Sequence, residues 1–317
     1  MIEDLGEGVG CIDTGYARTG LAASYVLQDH GEVAIVETGT ARALPRILAA
    51  LDTAGVARES VRYVIPTHVH LDHAGGAGAL LAQCPNAELL VHPRGLRHLV
   101  DPARLVAGAV EVYGEERFRR LSGAVVPADP ARAREAPDGS RWQLGSRELL
   151  VRDTPGHARH HFCVWDPGSE GWFTGDTFGI AYPELAFGGR PFLMPTTTPV
   201  QFEPEALKRS IALLMAAGPR RMYLTHFGPI APDAAMAATL CAEIDAFVAL
   251  ARELGDDPGA GERLRKALED RAITRLGRAG CRWQRAALAR LLSIDSDLNA
   301  QGLMHWRQTA ATGTTPR

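Results

Sequence analysis

No two of the five cysteines (Cys11, Cys84, Cys163, Cys241 and Cys281) form a CxxC pair, and their number is odd. Neither a disulfide framework nor a zinc ribbon is indicated. An excess of one charge is also missing. Lys and Arg total 34 against 37 Asp and Glu, a net charge of −3. That gives no general attraction to nucleic acid or to an anionic membrane, although a local patch stays open. No apolar stretch is seen to approach the roughly 18–20 residues that a membrane span needs. The opening MIEDLGEGVGCIDTGY is acidic and has no apolar h-region, so no secretory signal is expected there. A cytoplasmic, reduced, soluble protein is the expectation.

What is present is ordinary globular composition, 46% hydrophobic and 22% charged over 317 residues. This suffices for one large domain or a domain with an appendage. Leu21–Leu27 and Val33–Val36 read as a hairpin around Asp29-His30-Gly31. ARALPRILAALDTAG then has apolar residues at helical spacing. Val61–Ile65 reads as a buried strand, a helix is expected to begin around Gly75–Gly78, and AELLVH reads as the next strand. Gly95–Glu135 reads as helical or irregular. Trp142–Thr154 reads as two strands around Gly145, His161–Trp165 and Gly171–Thr174 as two more, and Arg221–Leu224 as another. Phe202–Ala217 is expected to be helical. Beyond residue 230 the pattern is all helical: Pro232–Leu254, a break at GDDPG, Glu262–Leu276, Arg282–Leu292 and a further turn or two over Asn299–Arg307. The polar Thr309–Arg317 is expected to fray. The expected organisation is α/β over 1–230 with a helical region over 231–317.

Chemistry concentrates in THVHLDHAGG, Thr67 to Gly76, where His68, His70, Asp72 and His73 form H-x-H-x-D-H directly after a strand. On a helix, alternate residues point about 200° apart, so His68 and His70 converge only in a loop turning into a helix. Imidazole with carboxylate suits Zn²⁺, Fe or Mn²⁺. Four ligands this close cannot all reach one ion with good geometry, so two adjacent ions are the natural reading. The alternative is a set of surface histidines or a structural hydrogen-bonded knot. Three further strand ends carry one ligand-type residue each: TPGH ends in His157, TGD in Asp176 and LTH in His226. Each is weak alone. Together with the first cluster they give five His and two Asp, enough for two metal centres.

THVHLDHAGG, TPGHARHH, FTGDTFG and LTHFGP, in this order, resemble the metallo-β-lactamase superfamily over about Gly20 to Pro229. The resemblance implies an αββα sandwich with metals at one edge. It implies His68, His70 and His157 as ligands of a first metal, Asp72, His73 and His226 as ligands of a second, and Asp176 as the bridge. It also implies a role for Asp72 in orienting a hydroxide and moving protons. Many members read D-T-G where VETG here has Glu37. Glu37 is expected either to hydrogen-bond a ligand imidazole or to be a solvated or capping residue.

Two adjacent divalent ions, zinc first with iron or manganese as alternatives, would hold a bridging hydroxide and polarise a carbonyl. The expected activity is hydrolysis of a small ester-like substrate, a thioester or a lactone. Glyoxalase II-type thioester hydrolases resemble this chain in T-H-x-H-x-D-H, in TPGH with His161 four residues on, and in a helical C-terminal region. FGGR, ending in Arg190, weakly resembles their glycine-arginine segment. Homoserine-lactone lactonases typically carry a Tyr three residues after the bridging Asp, where Gly179 stands here, and Tyr182 is a candidate substitute. The competing readings are a mononuclear iron persulfide dioxygenase of the same fold, held by His68, His157 and Asp176, and a non-catalytic metal-dependent binding module. Neither the basic exosite of RNA-processing members nor a flavodoxin-like domain is seen.

Other residues divide between site and core. His160 is open between the pocket and a structural role, and His161 is expected to pack near the site. Cys163 lies in an apolar run and is read as core. The segment with Pro183, Phe187, Pro191, Phe192, Met194 and Pro195 is either a pocket wall or lid, or a cover for the core or a dimer contact. Trp283 and Trp306 are expected in the core. The helical tail could close over the pocket, form a homodimer, or do both. The expected partner is a small-molecule substrate, with no nucleic acid and no membrane.

Overall fold

The structure of the protein, a computed structural model, describes residues 1–197, 200–254 and 257–312. Within these the chain divides into two compact units. One comprises Met1–Asp153, His160–Gly175 and Gly218–Pro232. The other comprises Thr154–Arg159, Asp176–Ala217 and the chain from Asp233 onward. The division at Pro232 and Asp233 falls close to residue 230. Two earlier segments, one of them starting with TPGH and the other with Asp176, group with the helical tail.

All the strands lie in the first unit. β1 (Glu3–Asp4), β2 (Val9–Asp13), β3 (Ala23–Asp29), β4 (Glu32–Val36), β5 (Val61–Ile65), β6 (Glu88–Val91) and β7 (Ala133–Glu135) form a seven-stranded sheet in chain order. β8 (Arg141–Leu144), β9 (Arg147–Asp153), β10 (Phe162–Asp166), β11 (Gly171–Gly175), β12 (Arg221–Leu224) and β13 (Gly228–Ile230) form a six-stranded sheet in the order β13-β12-β11-β10-β9-β8. Both sheets are mixed. The β3–β4 hairpin turns through His30 and Gly31, with φ of 48° and 83°. A two-residue turn with both φ positive matches the twist of its strands.

β4 reads EVAIV because it is covered on both faces. Val33 and Ile35 join Ile47, Leu51, Leu80 and Leu81 in a core outside the first sheet. Ala34 and Val36 join Tyr25, Ile65, Val151, Phe162, Phe173 and Tyr223 in the core between the sheets. Helix α1 (Leu44–Thr53) opens with Pro45, which needs no amide partner there, and buries Ile47, Ala50 and Leu51 at helical spacing. Gly55, at φ 68°, follows its end. Each such aliphatic burial contributes about 1.5–3 kcal/mol. The single turn α2 (Leu71–Ala74) and then α3 (Ala77–Gln83) follow β5; α3 begins within the expected Gly75–Gly78, and α2 is an additional turn before it. Gly95–Glu135 resolves into α4 (Leu96–Val100), α5 (Ala103–Tyr113), α6 (Glu115–Ser122) and the edge strand β7.

Strand direction places the motifs. β4 and β5 are parallel, so Glu37 and the His68 segment leave the same end of their sheet. β9 and β11 are each antiparallel to β10, and β11 is parallel to β12. The segments after β9, β11 and β12, those of TPGH, TGD and LTH, therefore leave one end of the second sheet.

The second unit contains α7 (Pro204–Ala216), α8 (Ala234–Glu253), α9 (Ala260–Arg278) and α10 (Arg285–Thr312). α10 is one continuous helix, where the sequence suggested two pieces. Of the tail expected to fray, residues 309–312 complete α10 and 313–317 lie outside the described residues, as do 255 and 256 of the GDDPG break. The side chain of Asp233 caps α8 by accepting from the Met236 amide at 2.7 Å. By length and composition α8 could cross a membrane, which corrects the expectation that no such stretch exists. Its exposed face is largely alanine (Ala234, Ala235, Ala238, Ala242, Ala249), a residue placed on helix surfaces by propensity. Its buried stripe is Leu240, Ile244, Phe247, Val248 and Ala251. Glu243, buried on the same helix, takes both oxygens to Arg271 of α9 at 2.7 Å each. Trp306 is half-buried, under Arg252 and edge-on to Phe202. Trp283 is 46% exposed and is not a core residue, contrary to expectation. It lies in the unstructured link between α9 and α10, where no helical spacing carries it inward.

Candidate metal centre

The seven candidate ligands divide between the units: His68, His70, Asp72, His73 and His226 belong to the first, His157 and Asp176 to the second. In the first, His68 sits just past β5, His70 immediately precedes α2, and Asp72 and His73 ride on its single turn. This is the loop-to-helix geometry that H-x-H-x-D-H requires. His226 follows β12.

Glu37 organises this group from the end of β4. It is only 1% exposed, and its carboxylate accepts from the Thr67 hydroxyl (2.6 Å), the Thr67 amide (3.2 Å), the His73 Nδ1–H (3.0 Å) and the Thr225 hydroxyl (3.0 Å). Its backbone has φ 66°, a left-handed conformation that costs a non-glycine residue on the order of 1 kcal/mol. Two backbone bonds hold it there: its amide to the Ile65 carbonyl (3.0 Å) and its carbonyl from the Ser24 hydroxyl (2.7 Å). The reading of Glu37 as a hydrogen-bond partner of a ligand-type imidazole matches this geometry.

The Thr67 hydroxyl donates to Glu37, so its oxygen accepts from His68 Nδ1 at 3.1 Å. His226 donates from Nδ1 to the Leu21 carbonyl at 2.8 Å. His68, His73 and His226 are thus each held through Nδ1, which makes Nε2 the lone-pair atom. His68 Nε2 faces His70 Nδ1 at 2.7 Å. His73 Nε2 and His226 Nε2 face Asp72 Oδ2 at 3.8 and 3.4 Å. Asp72, His73 and His226 offer ligand atoms all within 4.8 Å of one another. A tetrahedral ion with bonds of about 2.0–2.1 Å holds its ligand atoms about 3.3 Å apart. The donor set and spacing fit a divalent cation. Glu37 adds to the fit, since its only ionic partner among the described residues is His73, and a buried carboxylate calls for nearby positive charge.

His161 is fully buried, its ring 4.8 Å from that of His68. A Cβ at Gly175 would stand 2.4 Å from both His161 Nε2 and Thr67 Oγ1, so the TGD glycine is a packing requirement. His160 is buried among the rings of His68, His70 and His98. Burial pushes its pKa well below the usual histidine value, and the imidazoles of His70, His98 and His92 add to this. Cys163 is core, its thiol donating to the Thr174 carbonyl.

In the second unit the TPGH loop lies on the first turn of α7. Gly156, at φ 126°, has its carbonyl bonded by the Glu203 amide at 2.8 Å, and a Cβ there would meet the Leu207 amide at 2.1 Å. His157 Nε2 is 3.1 Å from Asp176 Oδ2. His157 Nδ1 is 2.8 Å from the Thr196 hydroxyl, which itself donates to the Asp176 carbonyl at 3.3 Å. Tyr182 is buried and donates to Asp295 of α10 at 2.8 Å. Arg190 pairs with Asp233 at the cap of α8. Phe192, Leu193 and Met194 are buried, with the Arg275 guanidinium over the Phe192 ring. Part of that segment is therefore buried within its own unit.

Sequence reading missed Thr67 and Thr225 as supports. Their signal was the repeated Thr-His pair at two strand ends. Thr196 and Asn299 carried no signal.

The model of the metallo-β-lactamase superfamily matches residues 17–226, more than half of the chain, and the protein belongs to that family. A metallo-β-lactamase fold-containing protein of Sulfurisphaera tokodaii is 32% identical over 180 residues, 55% of this chain and 63% of that protein. A hydroxyacylglutathione hydrolase of Hahella chejuensis is 29% identical over 171 residues, 53% of this chain and 51% of that protein. The chain thus spans between about half and just under two thirds of these relatives. The crystal structure of a metallo-β-lactamase family protein from Thermus thermophilus has a TM-score of 0.66, covering 98% of this chain and 95% of that one at 23% identity. That likeness is one of fold, and it agrees with the mixed two-sheet architecture and helical C-terminal part.

Proposed function

We propose that the protein is a dinuclear metal-dependent hydrolase of a small thioester. In this reading His68, His70 and His157 would hold one divalent ion and Asp72, His73 and His226 a second, with Asp176 as the carboxylate that would serve both. Zinc is the first candidate, with iron or manganese as alternatives. The observation that carries the reading is that four imidazoles, His68, His73, His157 and His226, are each bonded through Nδ1, so that Nε2 is the donor in every case. These four are buried, not surface, histidines, and a purely structural knot has no reason to share one orientation.

When bound, the ions would acidify a shared water and polarise the acyl carbonyl. The residues do the rest. Asp72 is 22% exposed at its side chain, within reach of water, and takes the proton of the attacking water. The water oxygen bonds to the acyl carbon, the carbon–sulfur bond breaks, and the thiol leaves with a proton. Glu37, Thr67, Thr196 and the Leu21 carbonyl keep the imidazoles of His73, His68, His157 and His226 in one tautomer throughout.

A thioester is favoured over a lactone by two features. Gly179 has φ 75° and a Cβ there would meet the Met194 carbonyl at 2.4 Å, so no tyrosine fits that position. The Tyr182 hydroxyl is engaged by Asp295. The tyrosine donor typical of lactonases is then not supplied. The relationship to a hydroxyacylglutathione hydrolase supports the same choice. Five scattered cysteines, odd in number and with no CxxC among them, suit a reduced compartment, and a cytoplasmic location is part of this proposal.

The test is a panel of acyl thioesters and lactones offered to the metal-loaded protein and to its Asp72→Asn variant. Thioester cleavage that collapses in the variant is the expected result. Cleavage untouched by the variant would overturn the role of Asp72. Thiol-dependent oxygen uptake by iron-loaded protein, with no hydrolysis, would replace the proposal by the persulfide dioxygenase.

A further inference from the structure

The second unit contains a chain of hydrogen bonds that runs from the C-terminal helix to a candidate ligand. Asn299 is buried on α10. Its Oδ1 accepts from the Thr197 amide at 2.6 Å and from the Thr197 hydroxyl at 2.9 Å. That hydroxyl also lies 2.9 Å from the Asn299 carbonyl, and Asn299 Nδ2 reaches the Pro195 carbonyl at 3.3 Å. One side chain thereby grips the backbone on both sides of Thr196. The Thr196 hydroxyl donates to the Asp176 carbonyl, so its oxygen is left to accept from His157 Nδ1–H. A hydroxyl has one proton, and its use on Asp176 fixes which way the bond to His157 runs. The result is a His157 imidazole in one tautomer, with Nε2 facing Asp176 Oδ2.

We infer that Asn299 and Thr196 are positioning residues for the metal centre, and that the helical tail serves the site by holding His157 and Asp176 in register. The inference rests on the reading of His157 and Asp176 as metal ligands. It gives α10 a role that neither a lid nor a dimer contact would give it. An imidazole held only by its own side-chain torsions rotates and exchanges tautomers. A second hydrogen bond through the far nitrogen removes that freedom, and loss of such partners typically lowers metal affinity about 10–100-fold.

The experiment is metal binding by the full chain. Metal-free protein is titrated with zinc against a competing chelator, and bound metal is counted by elemental analysis. The variants are Thr196→Val, Asn299→Ala, Asn299→Asp, Leu303→Ala and His157→Ala. Leu303 is buried on the same helix and bonds to none of these residues, so it reports what loosening of α10 alone does. Thr196→Val and Asn299→Ala are expected to weaken zinc binding at one of two sites about 10–100-fold. Asn299→Asp keeps an acceptor for Thr197 and should recover most of the loss. Leu303→Ala should lower the Tm of the metal-free protein and leave zinc affinity within about twofold. Equal loss in Leu303→Ala and Asn299→Ala overturns the inference, because α10 would then act only through stability. Unchanged affinity in Thr196→Val also overturns it. His157→Ala separates the two levels: if it retains both ions, the ligand reading itself fails. If it loses one while Thr196→Val and Asn299→Ala lose none, the ligand reading stands and the positioning role is wrong.

Discussion

The two units support their candidate ligands in different ways. In the first, one buried carboxylate, Glu37, gathers Thr67, His73 and Thr225 and reaches His68 through the Thr67 hydroxyl. In the second, a different group plays that part for His157. It is a neutral hydroxyl, and its loop is gripped by an amide from a helix about a hundred residues later in the chain. Both arrangements end in the same state, an imidazole bonded at Nδ1 and presenting Nε2. The difference is in what carries the information. Glu37 lies beside the strand ends it organises, whereas Asn299 works from a distant helix.

The contrast breaks most sharply at the ligands. Asp176→Ala and His226→Ala remove one candidate ligand from each unit. Each should cost bound metal and reduce hydrolysis by more than the 10–100-fold or so expected for a supporting residue. Elemental analysis with steady-state rates checks this, and unchanged metal and turnover in either variant would remove that residue from the centre. Next comes Glu37. Glu37→Gln should lower metal affinity or activity about 10–100-fold, and Glu37→Ala should in addition destabilise the fold, since each stranded buried donor costs about 1–3 kcal/mol. Denaturant unfolding of metal-free protein reads the second effect. No change in either quantity would mean that the hub is dispensable.

The glycines sharpen the comparison. Gly175→Ala in the first unit and Gly156→Ala in the second each push a methyl into atoms 2.4 Å or less away. Each should destabilise by about 1–3 kcal/mol. Gly108→Ala, within α5 and with nothing within 4 Å, should be neutral or stabilising by about 0.5–1 kcal/mol. A Tm series that fails to separate them would contradict the close packing.

The smallest effect is electrostatic and lies away from the site. The Ser146 hydroxyl and amide and the Arg147 guanidinium hold the Asp29 carboxyl down to about 2, from 3.8. A lowered folded value means stabilisation that is present above pH 3.8 and lost as pH falls toward about 2. Asp29→Ala should therefore lower Tm at neutral pH and match the parent near pH 2. A constant difference across that range would exclude the linkage.

Several strands and the candidate ligands that follow them could be read because both are local. Val61–Ile65 is a run of apolar residues ending at Pro66, and H-x-H-x-D-H follows at once. Arg221–Leu224 leads directly to Thr225-His226. What escaped depends on contacts distant in the chain. β2 contains two glycines in VGCID and its flank and has little strand signature, yet it pairs with β3 in register. β7 is three residues long and is fixed only by β6. Asn299 lies in a helix whose spacing announces only that it is a helix. The α8 hydropathy adds many alanines to the large apolar side chains of the buried stripe, and a search for an unbroken apolar run passes over that mixture.

Metal content per chain, by elemental analysis of protein purified without added metal or chelator, tests the central claim most directly. The account predicts close to two divalent ions per chain. Close to one iron, or none retained on zinc titration, would contradict it.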